Sequence, residues 1–143
     1  MSYVRIYVHF VWATKNRERF LDSFELRKSV WRHIKQNAAT KGIFIDRING
    51  YHDHCHALIS LGAEQTPAKI MQLIKGESSH WINENKLTRT RFEWQREYFA
   101  SSVSDSSIEN VRTYIENQER HHRTSTSLEE FTQYIRNADE FFA

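Results

Sequence analysis

IFIDRINGYHDHCHALISL, residues 43–61, decides the fold. Residues 43–48 and 54–61 are apolar-rich runs of strand length, and Asn49-Gly50 between them is a turn signal, so the stretch predicts an antiparallel strand pair. Upstream of it, Asp22 or Ser23 can cap a helix that runs to about Thr40, with Val30, Ile34 and Ala38 on its inner face and Lys41-Gly42 at its end. Further upstream, residues 3–14 alternate. Val4, Ile6, Val8, Phe10 and Trp12 share one face, while Arg5, Tyr7, His9 and Val11 share the other, which predicts a strand. The charged loop 15–19 separates that strand from the helix.

Downstream, Thr66-Pro67 opens a second helix whose apolar stripe is Ile70, Leu73, Ile74 and Trp81. Residues 98–103 read as a fourth strand, and Ser104-Asp105-Ser106-Ser107 as a cap-rich turn into a third helix, about 108–121. A final amphipathic helix from Leu128 uses Phe131, Ile135, Ala138 and Phe142. The order predicts an α+β fold: the ferredoxin-like (RRM-like) β-α-β-β-α-β antiparallel sheet, with an added tyrosine-bearing helix and a tail helix. Residues 1–123 would form the functional domain and 124–143 a helical extension of it. This sheet hosts many unrelated functions, so function rests on particular residues.

At 143 residues with 39% hydrophobic and 13% aromatic side chains, the chain is long and apolar enough for one packed domain. Its net charge of +2 does not by itself demand a nucleic acid, so a DNA partner must be argued from local charge. One cysteine, Cys55, excludes an internal disulfide framework and suits a reducing compartment. No apolar run has the length of a membrane helix and no secretory leader is visible, so the expected location is the cytoplasm. No glycine loop for a nucleotide cofactor appears.

Two clusters carry chemistry. In His52-Asp53-His54-Cys55-His56, strand parity aims His54 and His56 at one face and Cys55 at the other. Two adjacent imidazoles make half a divalent-metal site, although an isolated pair of this kind is more often a solvated strand face. His52 shares the parity but sits at the turn. Cys55 reads as a small core residue. In Tyr114-Ile115-Glu116-Asn117-Gln118, Tyr114 and Gln118 lie four apart on one helix face, beside an apolar stripe of Ile108, Val111 and Ile115. Alone, Tyr114 reads as a half-buried aromatic.

Together the clusters resemble a known family. His54-Cys55-His56 is similar to the HUH motif (histidine, hydrophobe, histidine), and Tyr114-x-x-x-Gln118 to the nucleophile-and-ligand motif of single-tyrosine HUH transposases. These are the transposases of the IS two-hundred/six-hundred-and-five insertion sequences and their relatives associated with repeated extragenic palindromes. Residues 7–15 resemble the family's first strand, 75–79 its second helix and 94–99 its approach to the fourth strand. The resemblance covers roughly residues 3–122. His52 stands where the family often has Pro, and Cys55 is a less usual middle residue; neither change removes a ligand or the nucleophile.

The resemblance implies that His54, His56 and Gln118 bind one Mg²⁺ or Mn²⁺, imidazole suiting Mn²⁺ better. It implies that Tyr114 attacks a phosphodiester of single-stranded, hairpin-forming DNA, giving a 5′-phosphotyrosine that a second 3′ hydroxyl resolves, without ATP. It also implies a homodimer, with the tyrosine helix often serving the partner's site. Residues 66–96 hold six basic and three acidic side chains, an excess suited to phosphate contacts. Lys15, Arg17, Lys69, Lys75, Arg89, Arg91, Arg96 and Arg112 are the candidate DNA contacts. A replication initiator with the same motif commonly has lysine three residues after the tyrosine, where Asn117 stands here. A domesticated endonuclease and a non-catalytic hairpin-binding module remain the alternatives.

Overall fold

The structure, a computed structural model, describes residues 2–121. Its elements are β1 (Ile6–Ala13), α1 (Phe24–Thr40), β2 (Phe44–Tyr51), β3 (His54–Leu61), α2 (Pro67–Glu84), β4 (Phe99–Val103), α3 (Ile108–Glu116) and the single turn α4 (Gln118–His121). The strands form one antiparallel sheet in the order β2-β3-β1-β4. This is the expected α+β arrangement. The tail helix expected from Leu128, and with it residues 124–143, lies outside the described residues. No helix among the described residues is long and apolar enough to cross a membrane.

The predicted caps form. Ser23 Oγ accepts a hydrogen bond from the Leu26 amide, Thr66 Oγ1 accepts one from Lys69, and Pro67 takes the first position of α2, where its missing N–H costs nothing. Gly42 follows α1 with φ +72°, the left-handed conformation that glycine adopts without a Cβ clash.

One sheet face carries Val8, Phe10 and Trp12 of β1 beside Cys55, Ala57 and Ile59 of β3, and packs on Val30, Trp31 and Ile34 of α1 and Ile70, Met71 and Ile74 of α2. The opposite face is also covered. There α3 sets Ile108 and Ile115 on Leu58, with Tyr7, Val103, Val111 and Tyr114 around them. His9 and Val11, on this second face of β1, are only 2% and 1% exposed. Ile6, on the face of Val8 and Phe10, is 44% exposed at the end of the strand.

Three local expectations change. The β2–β3 turn falls at His52-Asp53, not at Asn49-Gly50; β2 continues through Asn49, opposite His56, and Gly50, opposite Cys55. The register of β2 shifts between Ile45 and Arg47, a bulge that leaves Asp46 as the extra residue. That shift explains why the core-facing residues of β2 change from odd (Ile45) to even (Ile48, Gly50). Finally, the helix expected over 108–121 is interrupted at Asn117, whose φ/ψ of −96°/16° separates α3 from α4.

Candidate metal and nucleophile site

The site lies between the α3-facing side of the sheet and the α3–α4 junction. Antiparallel pairing places Val11 opposite His56 and Ala13 opposite His54, so both histidines project toward α3. Their ring centroids are 5.1 Å apart, and they are 2% and 1% exposed. From the other side, α3 brings Tyr114, whose ring meets that of His56 edge-on at 5.5 Å. Gln118 begins α4, is fully buried, donates from Nε2 to the Tyr114 carbonyl at 3.2 Å, and holds Oε1 3.4 Å from His54 Nε2. The four residues singled out in the sequence are thus brought together within one chain.

Two further residues orient the imidazoles. Asp53 Oδ1 accepts a hydrogen bond from His54 Nδ1 at 2.9 Å, which puts the proton on Nδ1 and directs Nε2 toward Gln118. His9 Nε2 lies 3.0 Å from His56 Nδ1. Neither residue stood out in the sequence. The available signals were the parity of His9 with Val11 and the position of Asp53 directly before the motif.

The donor set fits a divalent cation. Neighbouring ligands on an octahedral ion of Mg²⁺ size sit roughly 3 Å apart, and His54 Nε2 and Gln118 Oε1 are 3.4 Å apart. Two imidazole nitrogens and one amide oxygen leave further positions for phosphate oxygens or water. Cys55 takes no part. It points into the opposite core, and burial pushes its thiol well above its ordinary pKa, which keeps it protonated.

Ion pairs hold the tyrosine-bearing segment against the sheet. Arg112 of α3 forks onto Asp46 at 2.8 and 2.7 Å, the residue that the β2 bulge exposes to it, and also pairs with Glu109. Arg47 donates to Glu116 at 2.6 Å, Asn49 Nδ2 donates to the Glu116 carbonyl, and Arg27 of α1 forks onto Glu119 at 2.7 and 2.9 Å.

The hydrogen bonds from Arg112 hold the Asp46 carboxyl below its ordinary pKa; burial opposes them, and the charges of Arg112, Arg47 and Lys35 reinforce them. A depressed carboxylate pKa gives stability that is fully present above the unfolded value of about 4 and is lost as pH falls through the folded value. The expected result is that wild type loses more unfolding free energy between pH 6 and pH 3 than Arg112→Gln does, in urea titrations at each pH. Equal losses would mean that this pair does not contribute to the acid limb.

The candidate DNA contacts differ in their surroundings. Arg112 is committed to Asp46 and Glu109. Lys15 pairs with Glu93 at 2.9 Å, and Arg17 lies 3.9 Å from Asp53. Lys75 donates to the carbonyls of Gln95 and Arg96, and burial lowers its pKa. Lys69 reaches Gln72. Arg96 is exposed. Arg89 and Arg91 are 93% and 79% exposed, each only 3.9 Å from a single carboxylate.

Over residues 2–118 the chain matches the family described as transposase, IS200-like. Among solved structures, one assigned as a transposase of Deinococcus radiodurans R1 is similar at TM-score 0.65 and 22% identity, over 82% of this chain and 95% of that one. A REP-associated tyrosine transposase bound to a REP hairpin is similar at TM-score 0.64 and 15% identity, over 85% of this chain and 72% of that one. At these identities the likeness is one of fold. No curated protein matches the chain.

Proposed function

The chain belongs to the IS200-like transposase family, and from that premise we propose that it cuts and rejoins single-stranded DNA through Tyr114 with the help of Mg²⁺ or Mn²⁺. The observation that carries this reading is the placement of Tyr114 against the His56 ring, next to Gln118 and His54, within a single chain.

His54 and His56, through Nε2, and Gln118, through Oε1, would hold the cation. When bound, it would neutralise charge building on the phosphate oxygens and favour the phenolate of a tyrosine whose free pKa is about 10. Tyr114 Oη bonds to phosphorus as the bond to the 3′ oxygen breaks. The phenol proton is released and the leaving 3′ oxygen takes one up, so one P–O bond replaces another without redox change or nucleotide hydrolysis. The 5′-phosphotyrosine keeps the phosphodiester energy, and an incoming 3′ hydroxyl can reverse the step. The ion pairs of Arg112, Arg47 and Arg27 support action of the tyrosine on the histidines of its own chain. A homodimer is part of the proposal.

The substrate we infer is hairpin-forming single-stranded DNA from the flanks of the chain's own gene; the hairpin bound by the structurally similar REP transposase supports this choice. The test is a denaturing-gel assay with a labelled hairpin from those flanks. The expected result is a covalent adduct with Mn²⁺ or Mg²⁺ that is absent in EDTA. Binding without an adduct under either metal would make the chain a hairpin-binding module.

Arg89 and Arg91 are strongly exposed candidates for phosphate contact. Replacing both with Ala should weaken hairpin binding similarly for every sequence and reduce the slope of log K against log salt by about 1 to 2. Fluorescence anisotropy between low and moderate salt measures this. An unchanged slope would place the DNA elsewhere.

A further inference from the structure

The two imidazoles of the HUH strand are oriented by unlike partners. Asp53 is a carboxylate and can only accept, so the His54 proton is fixed on Nδ1. His56 Nδ1 instead faces another imidazole nitrogen, His9 Nε2, at 3.0 Å. One proton lies between these atoms, and there are two ways to place it. If His9 donates, neutral His56 carries its own proton on Nε2 and that nitrogen has no lone pair for a cation. If His56 donates from Nδ1, its Nε2 lone pair is directed at the site and His9 accepts. Only the second arrangement is compatible with a metal held by His56.

We propose that His9 is a positioning residue: by accepting from His56 Nδ1–H it sets the tautomer that makes His56 a ligand, as Asp53 does for His54. The inference rests on the reading of His54 and His56 as metal ligands. The sheet register explains how a residue so distant in sequence reaches this place. His9 lies opposite Leu58, one position along the same face from the Val11–His56 pair, so the two rings are diagonal neighbours across β1 and β3. His9 is 2% exposed beside the Leu58–Ile108–Ile115 cluster, where an aliphatic side chain would pack as well. Burying a second imidazole there is costly unless its polar atoms are matched, and His56 supplies the match.

The experiment combines ¹⁵N NMR of the histidine rings in metal-free protein with Mn²⁺ titration of wild type, His9→Leu and His9→Gln. Gln can accept a hydrogen bond at similar reach; Leu cannot. The expected result is that His56 carries its proton on Nδ1 in wild type and His9→Gln, and populates both tautomers in His9→Leu. Mn²⁺ affinity should fall about 10- to 100-fold in His9→Leu and stay close to wild type in His9→Gln. Thermal melts establish that the variants fold; should His9→Leu not fold, the wild-type tautomer and the His9→Gln affinity decide. A proton on His56 Nε2 in wild type overturns the proposal, as does wild-type Mn²⁺ affinity in a folded His9→Leu. A wild type that takes up no Mn²⁺ removes the metal site itself, and the role of His9 with it.

Discussion

Tyr114→Phe is expected to abolish the covalent protein–DNA adduct while leaving the fold and hairpin binding intact. The substitution removes one oxygen. The ring that meets His56 edge-on at 5.5 Å stays, as does its part in the cluster with Leu58, Ile108 and Ile115. A buried-face aromatic that loses only its hydroxyl costs little in packing, so melting temperature should change slightly. The attacking atom, however, is gone, and loss of a covalent nucleophile reduces turnover by roughly 10³-fold or more. Anisotropy would report binding and a denaturing gel the adduct. An adduct that persists in the variant would assign the nucleophile to another tyrosine. The first to examine would be Tyr51, which lies opposite His54 on the same sheet face.

Gly50→Ala is expected to give the largest loss of stability of any single methyl addition among the described glycines. A Cβ at Gly50 would lie 2.2 Å from the His54 carbonyl oxygen, 2.9 Å from Cys55 Cα and 3.0 Å from Trp31 Cζ2. Two of these are backbone atoms of the neighbouring strand and cannot swing aside as a side-chain tip can. The conflict is one of space, since Gly50 does not have a positive φ. Relief requires β2 and β3 to part at the residues that aim His54, so folding and site geometry fail together. A cost of about 3 kcal/mol or more follows from overpacking against rigid neighbours, which for a domain of this size lowers Tm by roughly 10 °C. Gly76→Ala is the control. It sits in α2 with nothing within 4 Å of its Cβ, and alanine in a helix interior should raise stability by about 0.5–1 kcal/mol. A Gly50→Ala protein melting within a few degrees of wild type would show that the hairpin yields more easily than its backbone contacts imply.

Much of this architecture is legible from short stretches. Alternation in residues 3–14 and the apolar-rich run 54–61 identify two strands, and strand parity puts His54 and His56 on one face with Cys55 on the other. Ser23, Thr66-Pro67 and Gly42 mark helix ends through hydrogen bonds or backbone angles that involve only a few neighbouring residues. The four-residue spacing of Tyr114 and Gln118 survives the interruption at Asn117 because the Gln118 amide bonds back to the Tyr114 carbonyl. Each of these features has a period or a span shorter than one element, so the residue order alone determines it.

The remaining features depend on partners far away in the chain. Asn49-Gly50 has the chemistry of a turn, yet cross-strand pairing with His56 and Cys55 keeps it extended and moves the turn to His52-Asp53. The second face of β1 is covered as well, with Tyr114 of α3 edge-on to the His9 ring, and strand pairing makes His9 the neighbour of His56, 47 positions away. Arg112, basic and on a helix, reads as a DNA contact until Asp46, 66 positions away at a bulge, engages it. Sequence by itself determined the elements, their faces and the chemical types available on them. Tertiary structure alone decided the register between strands, the docking of α3 and the proton partner of each imidazole, because these follow from contacts between elements that no local periodicity encodes.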